Sequence, residues 1–547
     1  MFSAQTNLFG EVEPSTVSID DSAHRLGVST ATIRNWLKAG HLKLAGGGKV
    51  TEDSLSHFQK EIAGKDKLNQ RANKSLKDSH DHLSASSVFL KRVELEGAST
   101  VNLGEEYESS LSESYRNKEG IYYTPWTVVS DLFAASPQNV KEATFCDPCC
   151  GSGNFVIRAL ELGFRPENVH GYDIDPVAVE ITKARIKQFC GYEVTTVQQG
   201  DFLKIASEGI PPKFDFIYTN PPWGKKLSKE EKDYLGDRFK SGSSVDTCSL
   251  FFFACLECLR DKGTLGLLLP ESYFNIATFE SARIKALSLS VERLVDYGRT
   301  FTGLLTKAQA IVLTNRPAEP SQVVSCDNSE KSTNRSAKSF SSNPKSILNL
   351  YCSQECSDTL EYLLNIPHIN LAKRASWGLG IVTGNNKKFV QPSNKAGFIP
   401  VFKGSDISKC GLKESSCFIP ENLNKYQQVA PLRLFEAKEK LIYKFISSRL
   451  CFFCDTEQRF VLNSANMLIP NKDFPVMTKV LGELLSSDFM NWIFSSIFNT
   501  HKILRGDLET LPIHSQFLTG ISSFDEFNYL ASLNMKRNPN GTYRIKR

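Results

Sequence analysis

Residues 147–155 read DPCCGSGNF, and this stretch decides the fold. It follows a short apolar segment and precedes a helical pattern that extends to Gly163. This order predicts a strand, a glycine-rich loop and the start of a helix. Gly151 and Gly153 allow the backbone to turn tightly and to approach a ligand, as in nucleotide-binding crossovers. The stretch therefore predicts an α/β protein with a doubly wound, Rossmann-like sheet.

Two carboxylates follow the next two apolar runs at the spacing that a nucleoside pocket needs. Asp173 lies in the segment VHGYDIDP, about 20 residues after the glycine loop, where it can accept both ribose hydroxyls. Asp201 ends a third apolar run, where it can accept from an adenine amino group while Phe202 packs near the ring. Together with the loop, these residues describe a nucleoside pocket.

Positions 220–223 read NPPW and follow another apolar run. The Asn220 side-chain carbonyl and the Pro221 backbone carbonyl can each accept one hydrogen of a planar exocyclic amine. Pro221 and Pro222 fix φ and offer no competing N–H, and Trp223 offers a flat face for stacking a base. An ordinary proline-rich turn is the alternative for this motif alone, but the upstream residues favour methylation of a base.

The chain resembles the gamma-class S-adenosylmethionine-dependent DNA amino-methyltransferases, which methylate adenine N6 and are typified by restriction-modification enzymes. Residues 120–125, GIYYTP, look like the family's cofactor motif. The order of cofactor motif, glycine loop, catalytic motif and large carboxyl-terminal region is the gamma arrangement. Residues 103–108 look like the segment that precedes the cofactor motif in larger members, while Cys149 and Cys150 replace other small residues. The resemblance implies that the cofactor residues are Tyr123, Thr124, Pro125, Asp147, Pro148, Gly151, Gly153, Asp173, Asp201, Phe202 and Asn220.

A mechanism follows from the chemistry of the target amine. Its lone pair is delocalised into the ring, so hydrogen bonds to Asn220 and the Pro221 carbonyl would activate it. The base must be flipped out of the duplex and stacked on aromatic side chains. Trp223 is one such face, and Phe301 in the late aromatic segment YGRTF is expected as the other, unless Phe301 is a core residue. We expect Asn220, Pro221, Pro222, Trp223 and Phe301 to form the catalytic site, without a metal.

Length and charge agree with a DNA-binding enzyme of several domains. A chain of 547 residues is too long to form a single hydrophobic core, and usual domain sizes suggest roughly three or four domains. Net charge is only +5, but residues 348–547 carry 24 Lys and Arg against 17 Asp and Glu. This excess suits a phosphate-contacting surface, although a solvated face would look the same. No run has transmembrane length and the start lacks a signal peptide, so we expect a cytoplasmic protein.

The fourteen cysteines include three Cys-x-x-Cys pairs, at Cys146/Cys149, Cys255/Cys258 and Cys451/Cys454. Metal binding would be one interpretation of this spacing. The first pair spans a strand end and the glycine loop, the second lies in an apolar helical run, and the third lies in a predicted strand. Reduced cysteines of a cytosolic protein explain the three pairs better.

Residues 15–62 form a separate module. Asp20 or Asp21 can cap a first helix ending at Gly27, and Ser29 can cap a second helix at positions 30–39, before Gly40. The module resembles the helix-turn-helix of MerR and excisionase-like proteins, with residues 46–50 as a wing and residues 52–62 as a closing helix. Ile33, Trp36 and Leu37 form an apolar stripe. The residues expected to face outward and contact DNA are Thr30, Thr32, Arg34, Asn35 and Lys38. A small helical domain used for protein contacts is the alternative.

Composition divides the remaining chain. Residues 63–100 form a polar linker, residues 101–320 the methyltransferase domain, and residues 321–345 a second linker rich in Ser, Asn and Lys. Residues 346–547 resemble the mixed α+β target-recognition domain of gamma-class and type IIG enzymes. Segments that support this are residues 382–386, 402–407, 440–444 and 508–513.

The sequence thus predicts a site-specific adenine-N6 methyltransferase that acts on double-stranded DNA as a monomer and protects host DNA from a partner restriction endonuclease. Cytosine-N4 methylation uses the same chemistry and stays open. RNA and protein-glutamine methyltransferases also carry Asn-Pro-Pro-aromatic motifs, but the motif order and the large carboxyl-terminal domain disfavour them. A DNA-binding regulator with a vestigial catalytic sheet and a fused nuclease are further, weaker alternatives.

Overall fold

The computed structural model describes residues 15–26, 30–38, 42–45, 49–58, 103–111, 122–135, 140–301, 304, 306–319, 321–408, 411–498 and 500–546. The chain divides into two compact units. The first comprises Met1–Pro270 and Tyr297–Arg316, and the second comprises Glu271–Asp296 and Pro317–Arg547. The predicted linker at residues 63–100 lies outside the described residues.

A small module opens the first unit. Its elements are β1 (Thr16–Val17), α1 (Ile19–Arg25), α2 (Thr30–Lys38), β2 (Val50–Thr51) and α3 (Glu52–His57). Strands β1 and β2 pair antiparallel, and Ile33, Trp36 and Phe58 are buried in a common core. The expected apolar stripe of α2 is therefore confirmed for Ile33 and Trp36, with Leu37 packed beside them.

The cap of α1 differs from the expectation. Ser18, not Asp20 or Asp21, caps the helix, because the Ser18 Oγ accepts from the Asp21 N–H at 2.9 Å. Asp20 and Asp21 lie in the first turn, where their negative charges interact favourably with the positive end of the helix dipole. The predicted Ser29 cap, the ends at Gly27 and Gly40, residues 46–48 of the wing and residues 59–62 of the closing helix lie outside the described residues.

The larger part of the first unit is an α/β layer. Its helices and strands are α4 (Leu103–Ser110), α5 (Trp126–Leu132), β3 (Phe145–Asp147), α6 (Asn154–Glu161), β4 (Val169–Asp173), α7 (Pro176–Cys190), β5 (Val197–Gln199), α8 (Phe202–Ser207), β6 (Phe214–Thr219), α9 (Lys229–Arg238), α10 (Thr247–Cys258), β7 (Leu259–Pro270), the end of β8 (Leu289–Gly298) and β9 (Ala308–Pro317). Six of these strands have the order β9-β7-β6-β3-β4-β5. All neighbours are parallel except β7 and β9.

The strand order confirms the doubly wound sheet and places its switch point. The chain passes from β3 to β4 and β5 on one side and then returns to place β6 on the other side of β3. The glycine loop follows β3, and Asn220 follows β6. Ligands of open α/β sheets bind outside the carboxyl ends of the strands at such a switch point. The topology therefore brings the glycine loop and the catalytic motif to the same crevice.

The second unit is mixed α and β. Its elements, besides most of β8, are α11 (Glu271–Asn275), α12 (Glu280–Leu287), β10 (Val323–Asn328), β11 (Ser332–Ser336), α13 (Lys338–Ser341), α14 (Gln354–Asn365), β12 (Ala375–Leu379), α15 (Asn386–Phe389), β13 (Phe398–Phe402), β14 (Ile407–Ser408), β15 (Gly411–Leu412), β16 (Cys417–Pro420), α16 (Leu432–Phe435), β17 (Lys440–Lys444), β18 (Phe452–Asp455), β19 (Phe460–Val461), β20 (Ala465–Pro470), α17 (Thr478–Ser486), α18 (Asp488–Phe498), α19 (Arg505–Leu508), α20 (Glu526–Ser532), β21 (Met535–Arg537) and β22 (Tyr543–Ile545). Two sheets, β12-β20-β17-β18 and β16-β13-β19, enclose much of its core. The expectation of mixed α+β structure here is confirmed.

Residues 321–345 are not an irregular linker, contrary to the expectation. They contain β10, β11 and α13, with β10 antiparallel to β11 and parallel to β8. Val324 and Cys326 alternate along β10 and are buried, whereas the intervening polar residues dominate the composition. A Ser- and Asn-rich segment can therefore form a strand when every second side chain is apolar.

A buried ion pair lies at the centre of the second unit. The Lys440 Nζ contacts the Asp455 Oδ2 at 2.5 Å, and neither side chain is exposed to solvent. Lys440 also donates to the Phe435 carbonyl at 2.7 Å, and Asp455 accepts from Arg459 at 2.7 Å. These additional partners satisfy the charges that burial removes from water.

Neither metal-binding nor membrane-spanning features occur in the described ranges. Within them, no group of three or more His, Cys, Asp or Glu side chains could hold a metal ion. No helix of that part of the chain is both long and apolar enough to span a bilayer. Cys255 and Cys258 lie in α10, and Cys454 lies in β18, as the sequence predicted.

Candidate cofactor and catalytic site

A cavity of about 290 Å3 lies at the carboxyl end of the sheet, around the switch point. Its walls come from the cofactor segment before α5, the glycine loop, the turn after β4, the start of α8 and the catalytic motif. Seven of the predicted cofactor residues line it: Tyr123, Pro148, Gly151, Asp173, Asp201, Phe202 and Asn220. Segments that are far apart in the chain thus converge on one nucleoside-sized space.

The glycine loop requires both of its glycines. Gly151 has φ +50° and Gly153 has φ +86°, which side chains disfavour. A Cβ on Gly151 would lie 2.8 Å from the Tyr123 ring, and one on Gly153 would lie 2.9 Å from the Thr182 Oγ1. The absence of side chains therefore allows the cofactor segment and α7 to approach the loop.

A hydrogen-bond network braces the loop against the cofactor segment. Arg185 of α7 donates to the Ser152 carbonyl at 2.5 Å and to the Asn154 Oδ1 at 2.7 Å. The Asn154 Nδ2 in turn donates to the Thr124 carbonyl at 2.8 Å. Thr124 and Pro125, which precedes α5, thus belong to the frame of the site and not to the lining of the main cavity. Their predicted cofactor contacts stay predictions.

Asp173 lies where the ribose carboxylate was predicted. Its Oδ2 accepts from the Gly151 N–H at 2.8 Å, and its Oδ1 accepts from the Asp175 N–H at 2.9 Å. These bonds fix the carboxylate at the cavity wall. Burial raises the pKa of Asp173 to about 6, although its two backbone hydrogen bonds oppose this.

The sequence analysis missed Ile174, which lies between two carboxylates at the cavity wall. Its side chain is 55% exposed, which is unusual for an isoleucine next to a buried strand. Asp173 and Asp175 on either side are held by hydrogen bonds, so Ile174 is presented to the cavity from a fixed turn. The signal in the sequence was an apolar residue between two acidic residues at the end of a strand.

Asp201 and Phe202 line the cavity at the start of α8. The Asp201 Oδ1 caps this helix by accepting from the Leu203 N–H at 3.1 Å. Phe202 is buried and stacks on Phe251, with ring centroids 6.2 Å apart and planes 14° apart. Asp201 therefore has a structural task in addition to its predicted contact with adenine.

Asp147 does not line the main cavity but lies beneath the glycine loop. It is fully buried, and its Oδ1 accepts from the Cys149 N–H at 3.1 Å. Burial has the largest effect on the pKa of this carboxyl group, and a hydrogen bond with the Thr219 side chain opposes that effect. Burial raises the pKa of Asp147 to about 7. Asp147 therefore supports the glycine loop, and its predicted contact with the cofactor stays a prediction. Gly153 likewise shapes the loop without lining the cavity.

Asn220 has an orientation suited to catalysis. Its Nδ2 donates to the Tyr122 carbonyl at 2.9 Å, so its Oδ1 must point the other way. The Oδ1 is buried, and no donor in the described part of the chain reaches it. Leaving a buried acceptor without a partner is costly, and at the wall of this cavity a bound ligand can supply the missing donor. Pro222 also lines the cavity, and Pro221 lies between it and Asn220.

Trp223 and Phe301 come together, but not as two parallel faces. Both rings are buried, and their centroids lie 5.2 Å apart with planes at 88°. The Trp223 Nε1 donates to the Leu268 carbonyl at 3.3 Å, and Phe301 also contacts Tyr122. Two perpendicular rings in contact leave no space in which a base could stack between them. The expectation of a base held between the faces of Trp223 and Phe301 is therefore wrong for this arrangement.

Further lining residues carried no recognised signal in the sequence. These are chiefly Lys225, Leu227, Thr247 and Phe251, whereas Tyr122, which also lines the cavity, belongs to the segment that resembles the cofactor motif. Lys225 and Leu227 follow the catalytic motif, and the Thr247 Oγ1 donates to the Lys225 carbonyl at 2.7 Å. Their part in the cavity depends on how α10 packs, which no local motif specifies.

The outward positions predicted on α2 are described in part. Arg34 is exposed, and Thr30 and Thr32 are half-buried. The side chains of Asn35 and Lys38 lie outside the described residues. Their predicted contacts with DNA stay predictions.

Comparisons with known proteins agree with this geometry. Residues 99–366 match the N-6 DNA methylase family, and residues 399–513 match the TaqI-like C-terminal specificity domain. The chain is 47% identical over 407 residues to the type II methyltransferase M.VspI of Vibrio sp. (strain 343). This match covers 74% of this chain and 100% of that protein.

Two more distant relatives share smaller parts or only the fold. The modification methylase CviBIII of Paramecium bursaria Chlorella virus NC1A is 27% identical over 39% of this chain and 54% of that protein. The solved structure of the type IIL restriction-modification enzyme MmeI in complex with DNA is similar in fold, with a TM-score of 0.50 and 13% identity over 76% of this chain and 70% of that chain. The extensive match to M.VspI and the matched domains show that the chain belongs to the N-6 DNA methylases as an adenine-specific type II DNA methyltransferase with a carboxyl-terminal specificity domain.

Proposed function

We propose that this enzyme is of the gamma class and transfers a methyl group from S-adenosylmethionine to adenine N6 after flipping the base out of duplex DNA. The observation that carries the proposal is the Asn220 Oδ1, a buried acceptor without a partner in the described residues, at the wall of a cavity built for a nucleoside. The motif order of the chain supports the gamma class.

The residues around the cavity fit the cofactor. Asp173 offers carboxylate oxygens for ribose hydroxyls, and Asp201 offers an acceptor for the adenine amino group. Ile174 and Phe202 supply apolar surface for the adenine ring. Bound there, the cofactor supplies an electrophilic methyl group. The tight approach of Tyr123 to Gly151 closes the cavity on the side of the glycine loop.

Asn220 activates the target amine. Its Nδ2 is held by the Tyr122 carbonyl, so its Oδ1 accepts one amine hydrogen in a fixed direction while the Pro221 carbonyl accepts the other. Two acceptors favour a nitrogen closer to tetrahedral geometry, in which the lone pair is available. Because the acceptors are already placed, little reorganisation is needed during transfer.

The flipped adenine stacks on one aromatic face only. Trp223 is the candidate for this face, since it directly follows the catalytic prolines. Phe301 packs perpendicular to Trp223 and so helps to fix the orientation of that ring. The Trp223 face then fixes the base plane without enclosing the base.

The remaining parts of the chain serve DNA binding. Residues 346–547 are proposed to read the target sequence, and the amino-terminal module to act as a helix-turn-helix that adds DNA affinity through exposed α2 residues such as Arg34. The enzyme is proposed to work as a monomer, and a separate restriction endonuclease is proposed as its partner.

Sequencing of modified bases tests the proposal. DNA from cells that express the chain should carry N6-methyladenine in one sequence context, and DNA from cells that express Asn220→Ala should not. Purified enzyme should transfer methyl groups to an oligonucleotide only when S-adenosylmethionine is added. Methyl groups at cytosine N4 would contradict the adenine target, and transfer without this donor would contradict the cofactor.

A further inference from the structure

The turn Asp173–Ile174–Asp175 at the cavity wall is held by a residue far upstream. The Asp175 Oδ1 caps α7 by accepting from the Val177 N–H at 2.9 Å. Its Oδ2 accepts from the Tyr107 hydroxyl at 2.7 Å. Both oxygens of Asp175 are therefore engaged, one by the helix it begins and one by α4.

Tyr107 is well suited to hold this carboxylate. Its side chain is completely buried, so its hydroxyl has a fixed position. A hydrogen bond to a charged acceptor is stronger than one between neutral groups. Removal of the hydroxyl would leave the ring in place and would take away this one bond to Asp175.

The same helix also touches the glycine loop. A Cβ on Gly104 would lie 2.4 Å from the Ser152 Cβ, so α4 packs directly against the glycine loop at this point. Gly104 and Tyr107 are three residues apart and therefore lie on the same face of α4. This face contacts both the glycine loop and the turn after β4.

We propose that Tyr107 is a positioning residue for cofactor binding, and that α4 completes the cofactor site from outside the cavity. Tyr107 orients Asp175, whose backbone N–H donates to the Asp173 Oδ1 at 2.9 Å. Asp173 and Ile174 are then held from one side by this turn, and Asp173 from the other side by the Gly151 N–H. The inference rests on the proposed use of S-adenosylmethionine in this cavity.

The test is Tyr107→Phe in the full-length enzyme. Loss of one hydroxyl should raise the KM and the Kd for S-adenosylmethionine about 3- to 20-fold, with kcat at saturating cofactor within about twofold of wild type. The KM for DNA should not change. Tyr362→Phe is the matched control, because it also removes one hydrogen-bonding hydroxyl, which here donates to the Leu533 backbone carbonyl at 3.2 Å in the second unit and not to a carboxylate.

A double-mutant cycle tells positioning from general destabilisation. If Tyr107 acts through Asp175, the Tyr107→Phe change should have no further effect on cofactor Kd in an Asp175→Ala background. Asp175→Asn keeps an acceptor for Tyr107 and should lose less affinity than Asp175→Ala. Additive effects in the cycle would contradict the proposed route.

Calorimetry with S-adenosylmethionine separates the two proposals. If wild type does not bind this cofactor, the proposed function fails. If wild type binds and Asp173→Ala weakens binding, but Tyr107→Phe leaves Kd and KM unchanged, only the positioning role is overturned. A fall in kcat with an unchanged cofactor KM would also overturn it.

Discussion

Replacement of Asn220 by alanine should separate catalysis from folding. The change removes the acceptor Oδ1, which has no partner in the described residues, and the Nδ2 donor to the Tyr122 carbonyl. Loss of one preorganised partner of a reacting group costs about 2.7–4 kcal/mol of transition-state stabilisation. Loss of the Tyr122 bond adds about 0.5–1.5 kcal/mol of positioning. The total of about 3–5.5 kcal/mol corresponds to a rate about 200- to 10,000-fold lower.

The stability of Asn220→Ala should change much less. The variant loses one hydrogen bond, worth about 1 kcal/mol, but it also removes a buried acceptor whose unpaired state costs about 1–3 kcal/mol. The two contributions oppose each other. We therefore expect the free energy of unfolding to stay within about 1 kcal/mol of wild type.

Single-turnover transfer of a labelled methyl group to a duplex oligonucleotide measures the rate, and urea unfolding measures the stability. Asn491→Ala is the matched control, because that amide donates to the Ser487 carbonyl at 2.8 Å and accepts from the Leu450 N–H at 2.6 Å, and it is not one of the residues that line the cavity. It should lose stability and keep its transfer rate. A rate for Asn220→Ala within tenfold of wild type would refute the catalytic role. A large loss of stability would show that Asn220 is mainly structural.

Three other predictions concern the cofactor, the amino-terminal module and the buried ion pair. Asp173→Ala should weaken S-adenosylmethionine binding by about 1.5–3 kcal/mol in calorimetry. Wild-type affinity for this cofactor should fall by up to about tenfold per pH unit below pH about 6, because the pKa of Asp173 is raised to about 6 and its carboxylate becomes protonated there. Unchanged affinities would mean that another carboxylate holds the ribose. Deletion of residues 1–62 should leave the methylated sequence unchanged while lowering DNA affinity and its salt dependence; an altered sequence in the modified-base profile would show that the module reads bases. Lys440→Met should lower the free energy of unfolding by at most about 3–5 kcal/mol, since Asp455 would remain buried and charged with Arg459 as its remaining cationic partner. A loss below about 1 kcal/mol in urea unfolding would contradict this reasoning.

The identity of the enzyme was accessible from motifs because each motif lies at a strand end. Hydrophobic runs before DPCCGSGNF, GYDIDP and NPPW predict strands, and the carboxyl ends of neighbouring parallel strands meet at one edge of a sheet. The cavity residues Gly151, Asp173, Asp201 and Asn220 were therefore predictable without knowledge of their contacts. The family match favours adenine over the alternatives left open by the chemistry of NPPW.

Two predictions made from local composition were wrong, because long-range packing or a side-chain conformation determines the structure at these places. Residues 321–345 are rich in polar residues, yet Val324 and Cys326 alternate along β10 and are buried. The first helix begins after Ser18 because that hydroxyl reaches the Asp21 N–H, whereas sequence alone offered several acceptable caps. In both cases a long-range pairing or one side-chain rotamer selects among alternatives that the sequence leaves nearly equal.

By itself the sequence determined the order of the motifs along the chain, a chemistry directed at an exocyclic amine and the residue types that carry it, because these depend on spacing along the chain. Only the tertiary structure decided which atoms are engaged. It buried Asp147 beneath the glycine loop, set Trp223 perpendicular to Phe301, and brought Tyr107 to Asp175 across 68 residues of chain. Such contacts join segments with no shared pattern, and their geometry follows from the packing of the whole unit.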